Sequence, residues 1–567
     1  MLSRFVMVLI MSLVFVNSHA QNLKANTNSI PATHAVASAH PLATKAGIDI
    51  LKAGGNAFDA AVAVSAVLAV VEPYSSGLGG GGFWLIYRKR DGFTTMIDGR
   101  EKAPAAASRN MYLDKNQKVI TGKSVDTVLG AGIPGEPAAL VHLSKKYGRL
   151  RLSQVLAPAI KVARQGFKVD KVYFRLASFR HRVLLKSQSA AKIFLIKGQV
   201  PAIGSIIKQP DLARTLRAIA RKGNKGFYQG SIARKMVRSV RKAGGIWTLQ
   251  DLKNYRVIER KPIVGYYKHY KITSAAPPSS GGVALIQMLN ILQYYKLDKL
   301  SAWRKIHVIV EAMRRAYRDR AEYLGDSDYV KVPVLQLTSQ QHAKKLKSSI
   351  RRWRATPSSK LKQVNALPKE SHHTTHFSVI DAEGNRVAAT LSINYPFGSG
   401  FVAKGTGILL NDEMDDFSSK PGTPNVYGLV GAEANAVRGG KRPLSSMSPT
   451  FVESNDKVMI VGTPGGSRII TMVLQAILGH AQGLSAKQIV AGKRFHHQYL
   501  PDQIQFEPGI LTTKLLKKLT GYKHTIKPLK ADYGNMQIII WDKKLNTVTA
   551  ASDPRGVGSA VVNKPGK

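Results

Sequence analysis

The sequence predicts an α+β protein in which helices and strands are segregated along the chain. Residues 130–360 carry apolar side chains at helical spacing in one segment after another. From Thr374 onward the pattern changes to short alternating runs separated by turn residues. Residues 57–71 (AFDAAVAVSAVLAVV) are apolar on nearly every face, so a helix there must lie buried between layers.

Taken in order, residues 41–52 have the spacing of an amphipathic helix stopped by Gly54-Gly55. Beyond the buried helix come Ser75-Ser76-Gly77-Leu78 and four glycines, Gly79 to Gly82, where the backbone can approach another group closely. Residues 83–88 are predicted as a strand and 94–97 as its hairpin partner. Helices are predicted at 136–147, 152–165 and 211–221. Pro277-Pro278-Ser279-Ser280-Gly281-Gly282 then breaks the chain before a helix at 283–292. Between Asp328 and Glu370 there is no acid, but Lys and Arg recur throughout, which predicts a solvated, flexible segment. Residues 375–380 and 386–394 form a predicted hairpin around Asp381-Ala382-Glu383-Gly384-Asn385. Further strands are expected at 457–461 and 537–541, and helices at 468–478 and 486–491. No internal repeat is present.

Composition narrows the class. The 567 residues suffice for one large or two ordinary domains, and 44% hydrophobic with 21% charged residues is a globular balance. Arg4, the apolar run 5–16 and Asn17-Ser18-His19-Ala20 have the form of a secretory signal cut after Ala20, with an uncleaved anchor as the alternative. The expected location is therefore periplasmic or secreted. No internal apolar run is long enough to span a bilayer. There is no cysteine, which excludes disulfides, thiolate metal sites and a cysteine nucleophile. Lys plus Arg minus Asp plus Glu is 84 − 34 = +50. Such a field attracts polyanions. Basic residues are spread along the chain without zinc-finger spacing or an RNA-binding aromatic motif. Surface adaptation or retention at an anionic envelope is therefore preferred over dedicated nucleic-acid binding.

The hairpin at 375–394 brings chemistry together. With its turn centred on Glu383-Gly384, paired positions sum to about 767, so Thr374 falls opposite residues 392 to 394. Ser392 and Asn394 share one face and would flank Thr374 with a hydroxyl and an amide. On their own, such residues more often mark a solvated hairpin.

The surrounding motifs change that balance. His373-Thr374-Thr375-His376-Phe377-Ser378-Val379 resembles the processing site of the γ-glutamyltranspeptidases, which are N-terminal nucleophile hydrolases. Asn411-Asp412-Glu413-Met414-Asp415-Asp416-Phe417, Arg442-Pro443-Leu444-Ser445-Ser446-Met447-Ser448-Pro449 and Pro464-Gly465-Gly466-Ser467-Arg468 resemble the same family. So do Leu78-Gly79-Gly80-Gly81-Gly82-Phe83, Arg100-Glu101-Lys102-Ala103-Pro104 and the earlier Gly54-Gly55-Asn56-Ala57-Phe58-Asp59. The resemblance runs from about residue 34 to 556.

The resemblance implies a four-layer αββα sandwich, made from two subunits of one self-cleaving precursor. The cut would fall between His373 and Thr374, giving a large subunit 21–373 and a small catalytic subunit 374–567 that remain together as a heterodimer. Thr374 would then be the nucleophile, and its freed α-amine, with a pKa near ~7.7–8.0, the base. Gly465 and Gly466 would form the oxyanion hole. Arg100, with Ser445 and Ser446, would hold the α-carboxylate of a γ-glutamyl substrate such as glutathione. Asn394, Glu413 and Asp416 would hold its α-ammonium, and Tyr427, in a lid at 421–430, would close over it. Water or an amino acid or dipeptide amine would accept the γ-glutamyl group. No cofactor and no metal are expected. His372, His373 and His376 have no carboxylate at ligand spacing. Ser392 stands where many members have Thr, Glu413 where some bacterial members have Gln, and the +50 charge departs from the family. Two alternatives stay open: a related glutaryl (cephalosporin-type) acylase, and a basic envelope-binding protein without turnover.

Overall fold

Two antiparallel sheets lie face to face. In a computed structural model that describes residues 30–361 and 374–563, the first sheet has seven strands. Their order is Ser559–Asn563, His34–Ser38, Thr375–Ile380, Arg386–Ser392, Gly81–Arg88, Phe93–Gly99 and Ile258–Arg260. The second has six, in the order Thr547–Ser552, Gln537–Asp542, Lys457–Gly462, Thr450–Glu453, Tyr270–Ser274 and Ile263–Tyr267. The proposed signal at 1–20, and His372 and His373, lie outside the described residues.

The period of two in each strand sorts side chains between the layers. In Gly81–Arg88, Phe83 and Leu85 pack toward the second sheet, whereas Trp84 and Ile86 pack against the helix Ala57–Val71. Trp84 Nε1 donates to Ser65 Oγ at 3.1 Å, which satisfies the indole inside that contact. The helix is apolar all round because it is covered all round: every one of its residues is buried. Asn56 and Asp59 form a reciprocal cap at its start. On the far side, Gly281–Leu292 and Ile469–Ala481 cover the second sheet with almost wholly buried helices. The result is the expected four-layer order of helix, sheet, sheet, helix.

His376 lies between the sheets. It bonds Thr390 Oγ1 at 2.8 Å, and a Cβ on Gly462 would fall 2.3 Å from its ring. Burial pushes its imidazole down to about 3, so it is a neutral core residue.

The acid-free stretch differs from expectation. Residues 334–337 and 340–348 are helical. Ser339 caps the second helix by accepting from His342 N, and Ala343 and Leu337 are buried. The buried Arg315 donates to Leu346 O and Ser349 O at 3.1 and 2.9 Å, closing the last turn. The charge run is thus the solvated face of a packed helix at least as far as residue 348. Residues 362–373 lie outside the description.

Candidate active site

The site begins where the hairpin ends. Pairing of Thr375 with Leu391 and of Ile380 with Arg386 gives a register sum of 766. One further step sets Thr374 across from Ser392, and their hydroxyls are 3.4 Å apart. The turn holds this register through its own side chains, since Asp381 Oδ1 accepts from the amides of Glu383 and Asn385 at 3.0 and 2.9 Å. Ser392 Oγ in turn accepts from Asn394 N at 2.8 Å. Asn394 sits at φ 71, and its amide nitrogen donates to Asp412 O at 3.1 Å.

One pocket gathers the expected residues. Arg100, Thr374, Ser392, Asn394, Glu413 and Asp416 line it, joined by Tyr427, Ser445, Ser446 and Gly466. Gly465 lines the neighbouring cleft instead. Arg100 is 1% exposed and bonds both acids: Nη1 to Glu413 Oε2, and Nη2 to Asp416 Oδ2 at 2.5 Å. Its Nε donates to Pro443 O at 3.2 Å. Sequence reasoning set base and acids at opposite poles of a substrate. Here they form one ion-paired cluster, with Glu101 a further carboxylate 3.5 Å from Nη1. Burial works against the Arg100 charge, but Glu413, Asp416 and Glu101 outweigh it and raise its pKa. Burial raises Glu413 toward neutrality against the pull of Arg100. Among the described residues, Glu413 Oε1 has no hydrogen-bond partner.

Tyr427 closes the pocket. Its hydroxyl donates to Asn394 O at 2.7 Å, and it is 4% exposed. A Cβ on Gly466 would lie 2.7 Å from the Tyr427 ring, so only glycine lets the lid seat there. Gly465 and Gly466 adopt φ 146 and 54, which side-chain-bearing residues rarely reach. They lead into the short turn Gly466–Arg468 and the helix Ile469–Ala481, so they stand at a helix start. The closed pocket keeps about 20 Å³ of free space, room for about one water. Asp415 anchors the lid by accepting from Val426 N at 2.9 Å and from Ser124 Oγ at 2.6 Å.

The family model for γ-glutamyltranspeptidase matches residues 43–563. This chain belongs to the γ-glutamyltranspeptidase family. It is 45% identical over 527 residues to the glutathione hydrolase proenzyme of Escherichia coli (strain K12), covering 92% of this chain and 90% of that one. Its fold is similar to cephalosporin acylase from Bacillus halodurans, with TM-score 0.82, 28% identity, and coverage of 96% of this chain and 98% of the other. It is also similar to Helicobacter pylori γ-glutamyltranspeptidase, with TM-score 0.56 and 44% identity. That match covers 57% of this chain and 94% of the other.

Thr374 stands between two spaces, lining both. Outside the small pocket lies an open cleft of about 390 Å³, lined by Glu72, Tyr74, Arg175, Phe179, Asn535 and Arg555 among others. Sequence reasoning missed Glu72. It terminates the helix Ala57–Val71, accepts from Thr375 Oγ1 at 2.6 Å, and burial raises it to about 7. It also missed Arg320, whose Nε donates to Ser280 Oγ at 3.0 Å and whose Nη2 donates to Ser446 Oγ at 3.3 Å. Ser280 Oγ donates to Ser445 O at 2.7 Å, so one buried guanidinium steadies both serines. Neither residue is marked by a local pattern: one ends an apolar helix, and the other sits within a strongly basic one.

Proposed function

We propose that the protein is a self-cleaving γ-glutamyltransferase and glutathione hydrolase with Thr374 as nucleophile. The observation that carries this reading is the convergence of Thr374, Ser392 and the Arg100–Glu413–Asp416 cluster in one lidded pocket. The Thr374 hydroxyl first attacks the His373 carbonyl, the peptide bond breaks to leave an ester and a free Thr374 α-amine, and water hydrolyses the ester, giving subunits 21–373 and 374–567. The Thr374 hydroxyl then attacks the γ-carbonyl of the donor and passes its proton to the new α-amine. The amides of Gly465 and Gly466 stabilise the oxyanion. Collapse breaks the amide bond, the proton leaves with the departing amine, and a γ-glutamyl ester stays on Thr374. Water resolves it to glutamate, and an amino acid or dipeptide amine resolves it to a new γ-glutamyl compound.

The substrate's α-carboxylate takes Arg100, Ser445 and Ser446. Its ammonium takes Glu413, Asp416 and Asn394, giving the unpartnered Glu413 Oε1 a donor. This favours a γ-glutamyl over a glutaryl substrate, because a glutaryl chain brings no cation to that buried oxygen. Export through the segment 1–20 places the enzyme in the periplasm or outside the cell. Among the described residues, no helix is long and apolar enough to cross a membrane.

The deciding experiment is a denaturing gel with N-terminal sequencing of the smaller band, run beside an assay of glutamate release from glutathione. Two bands, the smaller beginning Thr-Thr-His-Phe-Ser, together with release, are expected. One uncut inactive chain would move the basic binding-protein reading to the front.

Ser392→Ala is expected to slow both maturation and turnover, each by about tenfold, the scale of one lost hydrogen bond. Time courses of band splitting and of glutamate release measure the two, and normal rates would remove Ser392 from the site. A pH effect follows from Glu413. Its ionised form attracts the substrate ammonium, and burial raises its pKa. Lowering the pH below neutrality therefore protonates it, and KM for the donor rises. In Glu413→Gln, KM should stay near the wild-type acid value at all pH. A surviving rise in the variant would assign it to another group.

A further inference from the structure

Residues 171–210 contain no Asp or Glu but eight Lys or Arg. Around the helix Lys171–Leu185 the same stretch leaves large apolar side chains in solvent. Phe179 is 60% exposed and Ile203 62%, and Phe174, Leu185, Ile196 and Ile206 are each at least 40% exposed. At 100° per residue, the exposed positions of this helix fall in an arc of roughly 140°. Lys171, Arg175, Arg182 and Lys186 hold its centre, and Phe174, Leu185 and Phe179 hold its edges. The preceding Asp170 is turned into the helix cap, accepting from Val172 N and Tyr173 N at 2.7 and 2.8 Å.

The neighbouring loops extend this face rather than cover it. Val169 N donates to Ser205 O and Gly204 N to Val169 O, both at 2.8 Å, which seats the loop bearing Ile203 and Ile206 beside the helix start. His181 bonds Gly198 O at 2.7 Å, and Leu185 lies against Gly198. These contacts seat Ile196 and Lys197 beside the helix end. A soluble surface rarely groups so many exposed large apolar residues.

We propose that this face docks the protein on an anionic lipid bilayer, with the basic residues meeting lipid phosphates and the apolar ones entering the headgroup boundary. Charge complementarity selects an anionic partner. The apolar residues interleaved with the charge select a bilayer over a nucleic acid, because a bilayer gives them somewhere to go. Arg175 and Phe179 also line the outer cleft beside Thr374. Docking therefore turns the mouth of the active site toward the membrane surface.

The test is vesicle flotation of the purified full-length enzyme. Phosphatidylcholine vesicles are compared with phosphatidylcholine–phosphatidylglycerol vesicles at low and moderate salt. Binding only to the anionic vesicles, weakening with salt, is expected. Both Lys171→Glu/Arg182→Glu/Lys186→Glu and Phe174→Ser/Leu185→Ser/Ile203→Ser should bind at least about tenfold more weakly. Glutamate release without vesicles should stay at the wild-type rate in both, which shows that they fold. Absence of wild-type binding would overturn the proposal. Wild-type-like binding by the apolar triple variant would also overturn it, leaving only the attraction of any polyanion to net charge. So would an equal loss in Arg234→Glu/Arg238→Glu, on another basic helix. If the apolar variant instead splits a wild-type oligomer and keeps its vesicle binding, the face joins copies of this chain and the proposal fails.

Discussion

Thr374→Ala is expected to run as one uncut chain and to release no glutamate from glutathione, a loss of at least about 10⁴-fold. Both failures have one cause. On the proposed mechanism, the 374 hydroxyl attacks first the preceding peptide bond and then the donor. Ser392 cannot replace it, because it lies mid-chain opposite residue 374, not part of the scissile bond and with no α-amine of its own to act as base. Thr374→Ser keeps the hydroxyl and should mature and turn over at a reduced rate, since the lost methyl frees a χ1 rotamer that Thr holds. The measurement is band pattern and turnover on the same preparation. A Thr374→Ala protein that still splits at 373–374 would place the maturation nucleophile elsewhere.

Arg100→Lys is expected to raise KM for γ-glutamyl donors about 10- to 100-fold, with a much smaller change in kcat. The guanidinium reaches Glu413, Asp416 and Pro443 O at once from a rigid fork. An ammonium is a single point on a flexible stem and cannot span them while also meeting a carboxylate. The loss of a charge-assisted hydrogen bond, about 1.5–3 kcal/mol, sets that range. Arg100→Met goes further, since Glu101 and Glu413 are buried beside it and would lose their cation. About 3–5 kcal/mol of stability should go with it. Steady-state kinetics and thermal melts separate the two variants. An unchanged KM in Arg100→Lys would take Arg100 out of the substrate's reach.

The hairpin shows what was legible in the sequence and why. Its turn residues Asp381 and Asn385 fix the register by local hydrogen bonds, so arithmetic on the chain finds Ser392 opposite Thr374 within one position. Arg100 reaches the site from far earlier in the chain, and among 84 basic residues only the Arg-Glu-Lys-Ala-Pro motif singled it out. Several strands escaped for a different reason. His34–Ser38 is five small or polar residues, HAVAS, and draws its stability from neighbours on both sides. Thr547–Ser552 alternates only over its first four residues, TVTA, and Ser559–Asn563, SAVVN, does not alternate, so neither reads as a strand alone. Tertiary pairing decides such segments, and no local signal carries it. The acid-free run misled in the opposite direction, because its charge pattern hid the buried Leu337 and Ala343.

The strand order of the larger sheet limits what can happen to the molecule after maturation. His34–Ser38, from the proposed large subunit, is hydrogen-bonded on one edge to Ser559–Asn563 and on the other to Thr375–Ile380, both from the small one. In the smaller sheet, Tyr270–Ser274 is likewise zipped to Thr450–Glu453. Parting the two chains would mean unthreading a strand from between two others while also tearing Arg386–Ser392 from Gly81–Arg88 and the seam in the smaller sheet. On the proposed cut, each half would therefore stay with the partner it was synthesised with. A population mixing intact and nucleophile-dead enzyme cannot repair itself by trading halves, and damage to either chain retires both.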